Sequence, residues 1–116
     1  MKNGNNMLEL AGWAYVTGWS ASAPFGKLTI SRDWLEVSIY GNQLRFHKDH
    51  IGEMKVGRFF QSGGLSALYF FYRKGQSAEE VLFRPGGLMD TPWDFDERMS
   101  SMVEELRRHG YQIADR

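Results

Sequence analysis

Cysteine is absent from the 116 residues. That excludes a disulfide framework, thiolate metal ligands and a cysteine nucleophile, and it fits a reducing compartment. No charge of one sign dominates either. Lys+Arg and Asp+Glu are both 14, so no global field draws the chain to nucleic acid or to an anionic membrane. No apolar run approaches the roughly twenty residues that a membrane helix needs. The opening Met1-Lys2-Asn3-Gly4-Asn5-Asn6 lacks the apolar centre of a signal peptide. These absences lead to an expected cytoplasmic protein. Residues 1–7 read as a loose tail, 8–113 as one domain and 114–116 as a short C-terminal tail.

What is present is apolar and patterned. Hydrophobic residues make up 42% and aromatics 15% of the chain, enough for one packed core at this length. Trp13, Tyr15, Thr17 and Trp19 alternate with Ala14, Val16, Gly18 and Ser20, which predicts a first strand with one bulky and one small face. Gly18 within it reads as a bulge or a close backbone approach. Ala21–Gly26 reads as the connection to the next strand. Leu28 and Ile30, then Leu35, Val37 and Ile39, continue the period of two. Gly41-Asn42 fits a two-residue hairpin turn. Leu44 and Phe46 then point inward, with Arg45 and His47 outward. Ile51, Met54 and Val56 predict another strand, with Gly57 as a candidate bulge. Leu65–Tyr72 is apolar on both faces, as in a central strand or one whose outer face is covered. Glu79–Arg84 is the last strand.

The final quarter changes period. Thr91-Pro92-Trp93-Asp94 is a helix start, with a capping hydroxyl, proline in the first turn and an acid where the dipole favours it. Phe95, Met99, Met102, Val103 and Leu106 recur at helical spacing, and Gly110 offers a stop. About seven short strands and one amphipathic C-terminal helix predict a mainly β fold. The sheet curls into a partly open barrel capped by the helix.

That order resembles the pleckstrin-homology-like domains, in particular their bacterial members. The likeness runs from about Trp13 to Ile113. It is carried by GKLTISRDWLEVSIYGNQLRFHKDHIGEMKVGR, Gly26 to Arg58, and by the closing MVEELRRHGYQI, Met102 to Ile113. The resemblance implies two near-orthogonal sheets and a binding module for protein, lipid headgroup or membrane surface, without chemistry of its own. Lipid-binding members carry a basic cluster at the loop joining the first two strands. Only Lys27 follows Ala21–Gly26 here, so the phosphoinositide signature is missing and weight moves to a protein partner or a homodimer.

Candidate sites follow from residue type. Trp13, Tyr15 and Trp19, beside Trp34, form a partner-binding aromatic face if Ala14 and Val16 pack inward; in the alternative, the tryptophans fill the barrel. Arg45, Lys48, Lys55, Arg58, Arg73 and Lys74 give residues 45–74 a local positive excess that could meet anionic lipid. A basic and aromatic surface could also stack single-stranded nucleic acid, but a neutral chain makes that unexpected. His47, Asp49 and His50 crowd one turn without the converging ligands of a metal centre. Asp94, Asp96 and Glu97 suit a helix start better than an acid–base pair. Ser62 and Ser66 lack a nucleophile elbow, and Gly63-Gly64 and Gly86-Gly87 lack a nucleotide-binding context. No catalytic residue, metal or cofactor is therefore assigned. An enzyme, or a barrel holding a small ligand, is the rival class.

Overall fold

The computed structural model describes residues 7–87 and 90–115. The expected N-terminal tail lies, apart from Met7, outside the described residues. Seven antiparallel strands follow: β1 (Leu8–Val16), β2 (Trp19–Ile30), β3 (Trp34–Ile39), β4 (Asn42–His47), β5 (Ile51–Arg58), β6 (Ser66–Lys74) and β7 (Ser77–Pro85). Helix α1 (Pro92–Arg108) comes next. A two-residue strand β8 (Ala114–Asp115), in the expected C-terminal tail, pairs parallel to β5. Strands pair in the order β4-β3-β2-β1-β7-β6-β5-β8, so β4 and β5 are not joined and the barrel is partly open. The expected fold class holds.

The first two strands divide differently from the expectation. β1 ends at Val16, and Thr17-Gly18, with φ of 39° and 94°, reverses the chain. Gly18 is thus a turn residue, and Ala21–Gly26 lies inside β2 rather than between strands. Similarly, the β3–β4 turn is Tyr40-Gly41, both at positive φ, and Asn42 already belongs to β4. The irregularity of β5 falls between Ile51 and Met54 and not at Gly57.

β1 is where the two halves of the sheet meet. It pairs with β2 along most of its length and with β7 from Gly12 to Val16. Two glycines allow this crossing. A Cβ on Gly12 would overlap the Arg84 carbonyl oxygen, and one on Gly26 would lie 2.7 Å from the Ala14 Cβ. The register of β2 also slips there, since Ala14 faces Ala21 while Gly12 faces Gly26. The extra residues on β2 bend it from one half of the sheet toward the other.

The helix begins as its sequence requires. Thr91 Oγ1 accepts from the Asp94 N–H at 3.2 Å, and Asp94 Oδ2 accepts from the Thr91 N–H at 2.9 Å. Met99, Met102 and Leu106 are buried in the core. Each contributes about 1.5–3 kcal/mol by leaving water. Phe95 packs against Arg84 at the end of β7, while the far end of α1 meets Ser31 and Lys48 through Tyr111 and His109. The helix therefore closes the barrel end opposite the Thr17-Gly18 and Tyr40-Gly41 turns. No helix among the described residues is long and apolar enough to cross a membrane.

Candidate functional site

β4 forms one edge of the sheet, and the short β8 lies along the other. β4 pairs only with β3, and Asn42 through Arg45 are exposed. The Tyr40-Gly41 turn sets which backbone groups remain open. In a two-residue hairpin the residues flanking the turn, here Ile39 and Asn42, exchange both hydrogen bonds, and the pattern then alternates. Leu44 and Phe46 thus bond inward to β3. The N–H and C=O groups of Gln43 and Arg45, and the N–H of His47, point away from it, while the His47 carbonyl caps the 3-10 turn Lys48–His50. Such a row is a template for another strand.

Beside this edge lies the uncapped mouth of the barrel. A cleft of about 380 Å³ is lined by Val16, Trp19, Ile39, Leu44, Asn42 and Glu79, together with Thr17. Trp19 is 67% exposed and Leu44 42%. The register explains Trp19. It pairs with Val16, whose side chain is in the core, so both stand on the inner side of the sheet.

The aromatic residues singled out from the sequence therefore do not form one face. Ala14 and Val16 are buried, and Trp13 and Tyr15 stand on the outer side, half-buried and stacked with centroids 6.2 Å apart. Trp19 belongs to the other strand and the other side. Trp34 lies on the outer side of β3 under the Arg45 guanidinium, 3.8 Å from its ring centroid, with no ring contact to Trp13.

The loop 59–65 folds back over part of this outer side. Gln61 donates to Glu80 at 3.2 Å, Tyr69 donates to the same carboxylate at 3.3 Å, and Phe59 stacks on Tyr69. Burial, then the Glu80 charge, pushes the Tyr69 hydroxyl up. Leu82, fully buried outside the main core, pairs with both Tyr15 and Tyr69 beneath this cover. The two-sided apolar run of β6 is thus explained: β6 lies between β5 and β7, and its outer side is partly covered. Phe60, 97% exposed, projects from the loop.

The six basic residues are dispersed. Arg45 is bound to Glu36 at 3.0 Å as well as to Trp34. Lys48 donates to the His109 carbonyl. Lys55 pairs with Glu53 at 3.6 Å and lies 5.5 Å from the Tyr69 ring centroid. Arg58 and Arg73 occupy opposite ends of the β5–β6 ladder, and Lys74 closes β6. No single surface gathers them.

Among the described residues, no three His, Cys, Asp or Glu groups are placed to share a metal ion. His50 packs edge-on to Tyr72 and Asp94 is occupied as a helix cap. Arg84 was not singled out from the sequence. It lies half-buried in a second cleft, and burial lowers its pKa. Only the β1–β7 register brings it beside Trp13. Comparison with protein-family models, with curated proteins and with solved structures found no match.

Proposed function

We propose that this chain is a non-enzymatic interaction module of the pleckstrin-homology-like kind, and that it self-associates through β4. The observation that carries this reading is the open row of backbone groups at Gln43 and Arg45, extended by the His47 N–H. Its sequence is also self-complementary. An antiparallel pairing of two copies centred on Leu44 sets Gln43 of each copy against Arg45 of the other, so that outward groups meet outward groups. Leu44 then faces Leu44, and both half-exposed side chains leave water. A register shifted by one pair would oppose Arg45 to Arg45, which repels. The dispersal of the six basic residues supports a protein surface over an anionic lipid one.

Light scattering after size exclusion tests the reading. A particle of twice the 13.4 kDa chain mass is expected at high micromolar concentration. Leu44→Glu should return it to the monomer with an unchanged circular dichroism spectrum. A wild-type monomer at every concentration, or a dimer indifferent to Leu44→Glu, removes the proposal.

A further inference from the structure

At the end of β7, far from the β4 edge, Arg84 sits in a cleft of about 360 Å³. Its walls include Trp13 and Ala23, Leu65 from the β5–β6 loop, and Phe95 from α1. The guanidinium lies 4.2 Å from the Phe95 ring centroid. Nη1 donates to the Ser66 carbonyl at 2.7 Å and to the Ser66 hydroxyl at 3.2 Å. These bonds fix the orientation of the fork. Nε and Nη2 have no protein acceptor among the described residues, and no carboxylate among them forms an ion pair with Arg84. Neither nitrogen is sealed from solvent, since no buried side-chain polar atom of the described residues lacks a partner.

A guanidinium is charged at any physiological pH, and its free Nε–Nη2 edge matches a carboxylate in bidentate geometry. Partial burial weakens its hydration and lowers the cation's pKa, while the negative charge of Asp96, not in ion-pair contact, opposes that shift. The fixed positive charge disfavours amines at the guanidinium. The apolar walls disfavour phosphate, which needs more donors and keeps its water. A cleft of this volume, mostly apolar, with one oriented cation and with the side chains of its polar Gln61 and Ser62 engaged elsewhere, fits a small molecule.

The geometry points to a binding site for a small monocarboxylic acid with an apolar body, its carboxylate on Arg84 Nε and Nη2 and its body between Trp13, Leu65 and Phe95. The site is independent of the β4 edge, so it stands or falls separately from self-association.

Isothermal titration with octanoate tests it, with octan-1-ol and octylamine as matched probes. Octanoate should bind one per chain, at least about tenfold tighter than either probe, a gap of about 1.4 kcal/mol. Arg84→Met should abolish that preference. Leu65→Glu, on an exposed loop residue, places a negative charge at the cleft and should weaken octanoate by about tenfold or more without touching Arg84. It decides the matter if Arg84→Met does not fold. A peptide ending in leucine with a free carboxylate is the further arm. Equal binding of octanoate and octan-1-ol, no octanoate binding at millimolar concentration, full binding by folded Arg84→Met or Leu65→Glu, or binding of the peptide alone each overturns the assignment.

Discussion

The ammonium of Lys48 donates a hydrogen bond to the backbone carbonyl of His109, 2.7 Å away and 61 residues later in the chain. His109 is the C-cap of α1, so a cation from the β4–β5 corner satisfies the negative end of the helix. The same ammonium lies 4.4 Å from the centroid of the Tyr111 ring, and Tyr111 donates to the Ser31 carbonyl at 2.8 Å. One corner of the barrel is thereby tied to the helix exit.

Lys48→Met is therefore expected to destabilise the fold by about 1.5–3 kcal/mol, the scale of a hydrogen bond to a charged group. Lys74→Met, at the exposed end of β6, should stay within about 0.5 kcal/mol. Urea unfolding of the two variants makes the comparison. Equal effects would show that Lys48 is an ordinary surface lysine.

The two glycine classes in β1 and its turn should separate sharply. Gly12→Ala forces a Cβ into the Arg84 backbone where β1 crosses β7, and neither strand can give way alone. A loss of about 3 kcal/mol or more is expected. Gly18→Ala meets no atom within 4 Å and suffers only from its φ of +94°, a cost of about 1 kcal/mol. Thermal melts that rank Gly18→Ala as the worse of the two would place the close approach elsewhere.

These glycines also show where the sequence was legible and where it was not. The period of two revealed β3 and β4, the unbroken apolar run revealed β6, and the capping residues with their 3.6-residue stripe revealed α1. Each of those signals is local. The error at Trp19 arose because alternation continues unbroken through Thr17-Gly18. A two-residue turn pairs position 16 with position 19, so an odd position on β2 shares a side with an even one on β1. Thr17 carries no turn signal, since a β-branched residue rarely takes positive φ. The Arg84 cleft was illegible for a different reason. Its residues come from β1, β2, the β5–β6 loop, β7 and α1, and only strand register assembles them. Lys48 looked like a surface cation because its acceptor lies a helix and three strands away.

Trp13 and Trp19 should respond unequally to truncation. Trp13 is half-buried, stacks on Tyr15 and lines the Arg84 cleft, so Trp13→Ala should lose about 2 kcal/mol. Trp19, two-thirds exposed at the mouth, should lose less than about 1 kcal/mol. Chemical denaturation of both single variants reads this directly. A severe loss in Trp19→Ala alone would mean that the mouth is closed around that ring in solution.

Tyr111 gives the fold an alkaline limit. Burial, with a smaller contribution from the Asp33 charge, pushes its hydroxyl well above the ordinary value of 10.0. Below that value the hydroxyl is protonated in both the folded and the unfolded chain, and its contribution to stability is complete. Above it the unfolded chain loses the proton while the folded one keeps it bonded to Ser31. Stability then falls as pH rises, until the folded hydroxyl ionises as well. Tyr111→Phe should lose about 1 kcal/mol at neutral pH by leaving the Ser31 carbonyl without its donor. It should also fall less steeply between pH 10 and 12 than the wild type, because one titrating group has been removed. Urea midpoints measured across that range test both effects. Parallel alkaline slopes for the two proteins would mean that Tyr111 ionises as freely in the folded chain as in water.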